Sequence, residues 1–221
     1  MNEINHYEAN SEFRFLYSQI SDHFIQLEAF LKHIHDFVNQ TEKKIGPGLK
    51  YYSSDFFEYY YAASYGETFR SSFIITVCSI SEFYLKYFII TWGEILDKDL
   101  LNYKPINSIL DYLKIIDKEV ININTDFSRE EIFDLKCLLA VRNAMVHSHG
   151  TFEFVNKYKE LILRLAKKYS SLKVLANSSI MTEENFCDES INISKRFFYY
   201  IFKLSIRKFP NYISDRPNDE I

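Results

Sequence analysis

From Phe13 to Val38, apolar side chains return every three or four residues: Phe13, Leu16, Ile20, Leu27, Phe30, Ile34 and Phe37, with Phe24, Leu31 and Val38 beside them. That spacing lines up on one face of an α-helix, whereas a strand would alternate with period two. The run is long enough to pack as a coiled coil. The rest of the chain is poor in residues that interrupt helices. It has 5 glycines and 4 prolines among 221 residues, so long helices and few tight turns are expected. With 47% hydrophobic residues it can bury a sizeable core. The expected fold class is all-α: a single-domain helical bundle over residues 1–221 with a long N-terminal amphipathic helix.

The remaining segments follow from local signals. Gly46-Pro47-Gly48 is expected to end the first helix. An aromatic-rich segment from Tyr51 to Tyr65 should be helical from about Ser54, and Ser71 to Leu96 reads as a wide-faced, largely buried helix. Asn107 to Lys118 is expected as a shorter helix and Val120 to Asn124 as extended chain. Ser128-Arg129-Glu130-Glu131 has the form of a capping box, in which the hydroxyl accepts from the Glu131 amide and Glu131 reaches back. It predicts a helix ending near His149, with Gly150 as a left-handed cap. A further helix is expected from Phe154 to Tyr169, irregular or extended chain over 171–181, and a last helix opened by Thr182-Glu183-Glu184 and running to about Phe209. Residues 210–221 read as a polar, frayed tail.

Several function classes are disfavoured. Cys78, Cys137 and Cys187 are odd in number and far apart, so neither a disulfide frame nor a metal site is suggested and a reducing cytoplasm fits. The N-terminus lacks the basic-then-apolar form of a signal peptide. Ser79, Ser81, Glu82 and Lys86 interrupt the most apolar stretch, Phe73 to Trp92, so no membrane span or membrane partner is expected. His33 and His35 do not share a helical face, and no His/Cys/Asp cluster has ligand spacing, so no metal and no cofactor is implied. Net charge is −4, but residues 151–208 carry 11 Lys/Arg against 6 Asp/Glu, leaving 15 against 24 elsewhere. That basic third either attracts phosphate or forms solvated helix faces. The run Tyr51-Tyr52, Phe56-Phe57, Tyr59-Tyr60-Tyr61 either stacks unpaired bases or belongs to core and interface.

The segment Val141-Arg142-Asn143-Ala144-Met145-Val146-His147-Ser148-His149-Gly150 carries the chemistry. Ile132, Leu135, Leu138, Leu139, Met145 and Val146 read as an inward apolar stripe, with Arg142 near its middle. A guanidinium there needs a carboxylate, carbonyls or an anion site. Either it pairs with Glu82, on the edge of the apolar face of helix 71–96, or it serves a phosphate. Asn143 and His147 are four apart and neighbour each other, so Asn143 can orient the imidazole. Arg142 and His147 diverge by about 140° on an ideal helix. They converge only if Arg142 bends across, if the last turn unwinds, or if two copies of the segment face each other in a dimer. Such a set suits attack of a ribose 2′-OH on the adjacent phosphate, with His moving protons and Arg holding the phosphorane. His149 is either a second proton carrier or part of a solvated helix end.

Arg142-Asn143-(x)3-His147 resembles the signature of the HEPN superfamily, with its Arg, polar residue and His after a short spacer. Ser79-Ile80-Ser81-Glu82-Phe83-Tyr84-Leu85-Lys86 resembles the early helix of that family with its acidic residue, and His147-Ser148-His149-Gly150 resembles the exit from its motif helix. The resemblance covers about residues 66–208 as a HEPN-like core, with 1–50 as a helical extension and 210–221 as the tail. It implies a HEPN-like helical bundle, a homodimer with a composite active site, and a metal-independent endoribonuclease acting on RNA as a toxin or anti-phage defence effector. An antitoxin or defence-system partner protein is also implied. By resemblance Arg142 stabilises the transition state, His147 is the acid/base, Asn143 positions it and Glu82 orients Arg142. The chain departs from the family at His149, where toxins paired with a nucleotidyltransferase antitoxin commonly carry a modified Tyr. The alternative is a non-catalytic HEPN-like module that binds a protein or nucleotide.

Overall fold

The computed structural model describes residues 6–45, 53–101, 109–121, 129–148, 150 and 156–208. The fold is all-α. Among the described residues, six helices, α1 (His6–Ile45), α2 (Ser53–Ile95), α3 (Ile109–Ile115), α4 (Glu130–Ser148), α5 (Asn156–Lys168) and α6 (Asn185–Lys208), accompany one small hairpin, β1 (Leu172–Val174) and β2 (Ile180–Thr182). The segments expected at 51–65 and 71–96 are one continuous helix of 43 residues. The stretch between them holds Gly66 but no proline, and one helical glycine costs only about 1 kcal/mol, too little to break a helix with buried neighbours. The extended segment expected from Val120 is corrected at its start. Val120 and Ile121 belong to a π-helical turn, Ile116–Ile121, that continues α3. Ile116 and Val120 are both buried, and four-residue spacing lets them bury one side, which overrides the strand preference of β-branched residues. Residues 122–124, the capping-box Ser128, Gly46-Pro47-Gly48 and the 210–221 tail lie outside the described residues.

Contacts divide the chain into two units. Unit 1 comprises Met1–Phe24, Ser79–Lys136 and Ile193–Ile221, and unit 2 comprises Ile25–Cys78 and Cys137–Asn192. Unit 1 is held by an aromatic core. Phe202 lies edge-on to Phe13, Tyr17 and Phe88 with ring centroids 4.7, 5.0 and 5.4 Å away. Trp92 closes against Phe13 and Phe88. Edge-to-face pairs of this kind add about 0.5–1.5 kcal/mol beyond the area they bury. Two polar links cross this core: Ser81 Oγ donates to Ser194 Oγ at 3.0 Å, and Arg196 pairs with the buried Asp134 carboxylate at 3.1 Å. The α2 helix ends on Asp97, whose φ is 50°, with the Lys98 amide returning to the Gly93 carbonyl at 2.8 Å.

Unit 2 buries Ile74 and Val77 of α2, Leu138 and Val141 of α4, Ile162 and Leu165 of α5, and Phe186 and Ile191 of α6. The hairpin pairs antiparallel, Leu172 with Thr182 and Val174 with Ile180. Lys173 and Glu183 form an ion pair across it. His35 meets Glu184 through Nδ1 at 3.0 Å. Beside them burial raises the Asp188 carboxyl pKa, which His35 lowers and Glu184 raises in turn. Within α2, Gly66–Ile95 is long and apolar enough to cross a membrane by length and composition, and half of its most apolar window is buried inside the protein. A core helix meets the same description.

None of the three cysteines is in a disulfide, and all three are buried. Burial pushes the Cys187 thiol up to about 12, with Arg70 working against that shift and Asp188 and Glu184 reinforcing it. Thiolate is the reactive form. At pH 8 an aromatic disulfide reagent is therefore expected to titrate three thiols in denaturant and essentially none in the native protein over the same interval. A fast native thiol would mean that the helices enclosing it open readily.

Candidate functional site

The site is built on the C-terminal half of α4. This helix is buried over most of its circumference. Leu138, Val141 and Ala144 have at most 1% of their surface exposed, whereas Val146 is 43% exposed. The expected stripe is thus corrected: Leu139 and Met145 are half-buried, Val146 is out, and Arg142 is not at the centre of an inward face. Ala140, Val141 and Ala144 are buried, and Leu139, Arg142, Asn143, Val146 and His147 span the more open arc of the helix. The Arg that looked misplaced on an apolar stripe stands on the open side of its helix.

Arg142 and Asn143 are brought together. Arg142 Nη1 donates to Asn143 Oδ1 at 2.9 Å. Arg142 Nε is buried with no hydrogen-bond partner among the described residues. A buried guanidinium N–H without a partner costs more than one left in water, so the group is poised for an acceptor. His147 is exposed, about 140° around the straight helix from Arg142. No hydrogen bond joins Asn143 to His147; the Asn143 oxygen is taken by Arg142, leaving its NH2 as the group that can face other partners. The helix runs unbroken through Ser148, so the last turn does not unwind to bring His147 toward Arg142. Glu82 belongs to unit 1, half-buried on α2. Its charge, after burial, raises the pKa of the Tyr112 hydroxyl on α3. His149 lies outside the described residues, as do Tyr51 and Tyr52 and the side chains of Phe56 to Tyr61.

Comparison with protein families, curated proteins and solved structures finds no match for this chain.

A backbone tie to the hairpin fixes how the segment leaves α4. Gly150 has φ +79°, the left-handed cap expected there. Its amide returns to the Ala144 carbonyl at 3.1 Å, and its own carbonyl accepts from the Ile180 amide at 2.7 Å. The end of the Arg-Asn-His helix is therefore tied to β2. Nothing in the local pattern around Gly150 names Ile180, because the tie is a backbone bond between residues 30 apart. A Cβ on Gly150 would meet only the Ile180 oxygen, at 3.8 Å, an ordinary contact. The expected cost of Gly150→Ala is thus conformational, about 1–2 kcal/mol for an L-residue held left-handed. A urea midpoint series checks it; Gly150→Asn should lose less, since Asn tolerates that region. Among the described residues no three His, Cys, Asp or Glu side chains gather in a group that could hold a metal ion.

Proposed function

We propose that this chain is a metal-independent endoribonuclease of HEPN type. It cleaves RNA by attack of a ribose 2′-OH on the adjacent phosphate, leaving a 2′,3′-cyclic phosphate. The observation that carries this reading is the Arg142 guanidinium: fixed by Asn143, with a buried Nε lacking a partner among the described residues, on the same helix as an exposed His147. Arg presents a planar fork to the phosphate and stays charged as negative charge grows on the phosphorane. His147 takes the 2′-OH proton or returns one to the leaving 5′-oxygen.

One His cannot hold both positions at once. Because α4 is straight through His147, Arg142 and His147 of one chain point about 140° apart. A two-fold pairing of two α4 ends supplies the second His and sets each Arg142 against its partner's imidazole, which makes the active enzyme a homodimer with a composite site. Val146, exposed between Arg142 and His147, is the apolar contact such a pairing would cover. A cytoplasmic enzyme of this kind serves as a toxin or anti-phage effector held in check by an antitoxin or partner protein.

The test uses purified protein, end-labelled RNA and excess EDTA. Cleavage with cyclic phosphate ends in wild type, lost in His147→Ala and in Arg142→Ala, supports the reading. Folded variants that cut as well as wild type remove it.

A further inference from the structure

We infer that the outer face of α5 is the track along which the RNA backbone lies on its way to the Arg142–His147 segment, an inference that rests on the ribonuclease reading above. The helix Asn156–Lys168 holds Lys157, Lys159, Arg164, Lys167 and Lys168 against one acid, Glu160. Ile162 and Leu165 are buried, whereas Lys159, Arg164, Lys167 and Lys168 are exposed. At about 100° per residue these four cations fall within roughly half of the circumference. The negative end of the helix dipole accounts for cations in the last turn, Lys167 and Lys168. It does not account for Lys159, which lies in the first turn.

Placement is the second observation. The C-terminal end of α5 runs into the hairpin: the Leu172 amide donates to the Tyr169 carbonyl at 3.0 Å, and β1 pairs with β2. Through Ile180, β2 is bonded to Gly150 at the exit of α4. The N-terminal end of α5 follows Gly150 by six residues, a reach of no more than about 20 Å. A basic face whose C-terminal end is tied through the hairpin to the exit of the Arg-Asn-His helix is complementary to a polyanion that passes through that site. The contacts are to phosphates, so binding does not depend on base sequence and responds to salt. The track also requires length: a dinucleotide fills the scissile position without reaching α5.

The experiment compares wild type with Lys159→Gln/Lys167→Gln and with the charge-reversed Lys159→Glu/Lys167→Glu. Binding of a labelled single-stranded RNA of roughly 20 nucleotides is measured in the His147→Ala background against salt concentration. If each Lys meets one phosphate, removing both lowers the slope of log K against log salt by about 1.4. Cleavage of the long RNA should show a KM raised about tenfold at low salt with kcat little changed, while cleavage of a dinucleotide is unaffected. An unchanged salt slope and KM in both double variants overturns the inference, even where His147→Ala abolishes cutting and so leaves the ribonuclease reading intact. Equal losses on long RNA and dinucleotide also overturn it, since they place the lysines at the reacting phosphate or in folding. Binding of wild type to anionic phospholipid vesicles but not to RNA assigns the face to a membrane surface and overturns it as well.

Discussion

His147→Ala is expected to lower the RNA cleavage rate by about 100- to 10,000-fold, the range that a positioned general acid or base contributes. Its fold should be untouched. The His147 side chain is exposed, and surface substitutions of that kind usually change stability by no more than about 0.5 kcal/mol. Activity and stability therefore separate cleanly at this position. Arg142→Ala should cost about 100- to 1,000-fold, as removal of a donor aimed at transition-state charge does. Here stability can shift too, because the Asn143 oxygen loses its donor. Arg142→Lys is the sharper probe. It keeps the charge but loses the fork, so it should recover only a small part of the rate. Single-turnover cleavage, read beside circular dichroism and melting temperature, distinguishes these outcomes. A His147→Ala enzyme that cuts normally while folded would leave α4 with no catalytic role.

Phe202→Ala is expected to destabilise the protein by about 3–5 kcal/mol, as large-to-small changes at packed aromatic sites do. Phe202 is 1% exposed and meets Phe13, Tyr17 and Phe88 edge-on, so truncation leaves a cavity that three rings on two other helices cannot fill without moving. For a chain of this size that corresponds to a fall in melting temperature of roughly 6–20 °C, a large fraction of the 5–15 kcal/mol typical of a folded domain. Phe15 gives the control. It lies on α1 within two residues of Phe13 but is 60% exposed, and Phe15→Ala should change stability little. Equal effects at the two positions would mean that the aromatic core of unit 1 is not packed as described.

Much of the fold was legible because helices announce themselves locally. Of the 3–4 series on α1, Phe13, Leu16 and Ile20 are buried, with Phe24 and Leu31 beside them, whereas Phe30 of the same series is 51% exposed. The scarcity of glycine and proline points to long helices such as the 40 residues of α1, but not to the joining of two expected segments into the 43 residues of α2. The cap at Gly150 was legible for the same reason, since only a residue without a Cβ adopts its backbone freely. The inward stripe of α4 was not. Hydrophobicity alone ranked Leu139 and Val146 as core and gave the alanines no weight, yet Ala140 and Ala144 are the buried ones. Which side of an apolar helix faces inward is set by the elements packed against it, and the helix's own hydrophobicity does not name them.

The Arg142-Asn143-(x)3-His147 spacing, the placement of both ends of the motif on one helix and the basic bias of α5 are properties of the sequence by itself, because each depends on residue type and a fixed angular step. Tertiary structure decided the rest. It bound Asn143 to Arg142, left the guanidinium Nε buried without an acceptor among the described residues, exposed His147, and tied Gly150 to Ile180 so that the hairpin meets the exit of α4. Those outcomes come from contacts between residues distant in the chain, whose cost and gain no local pattern encodes.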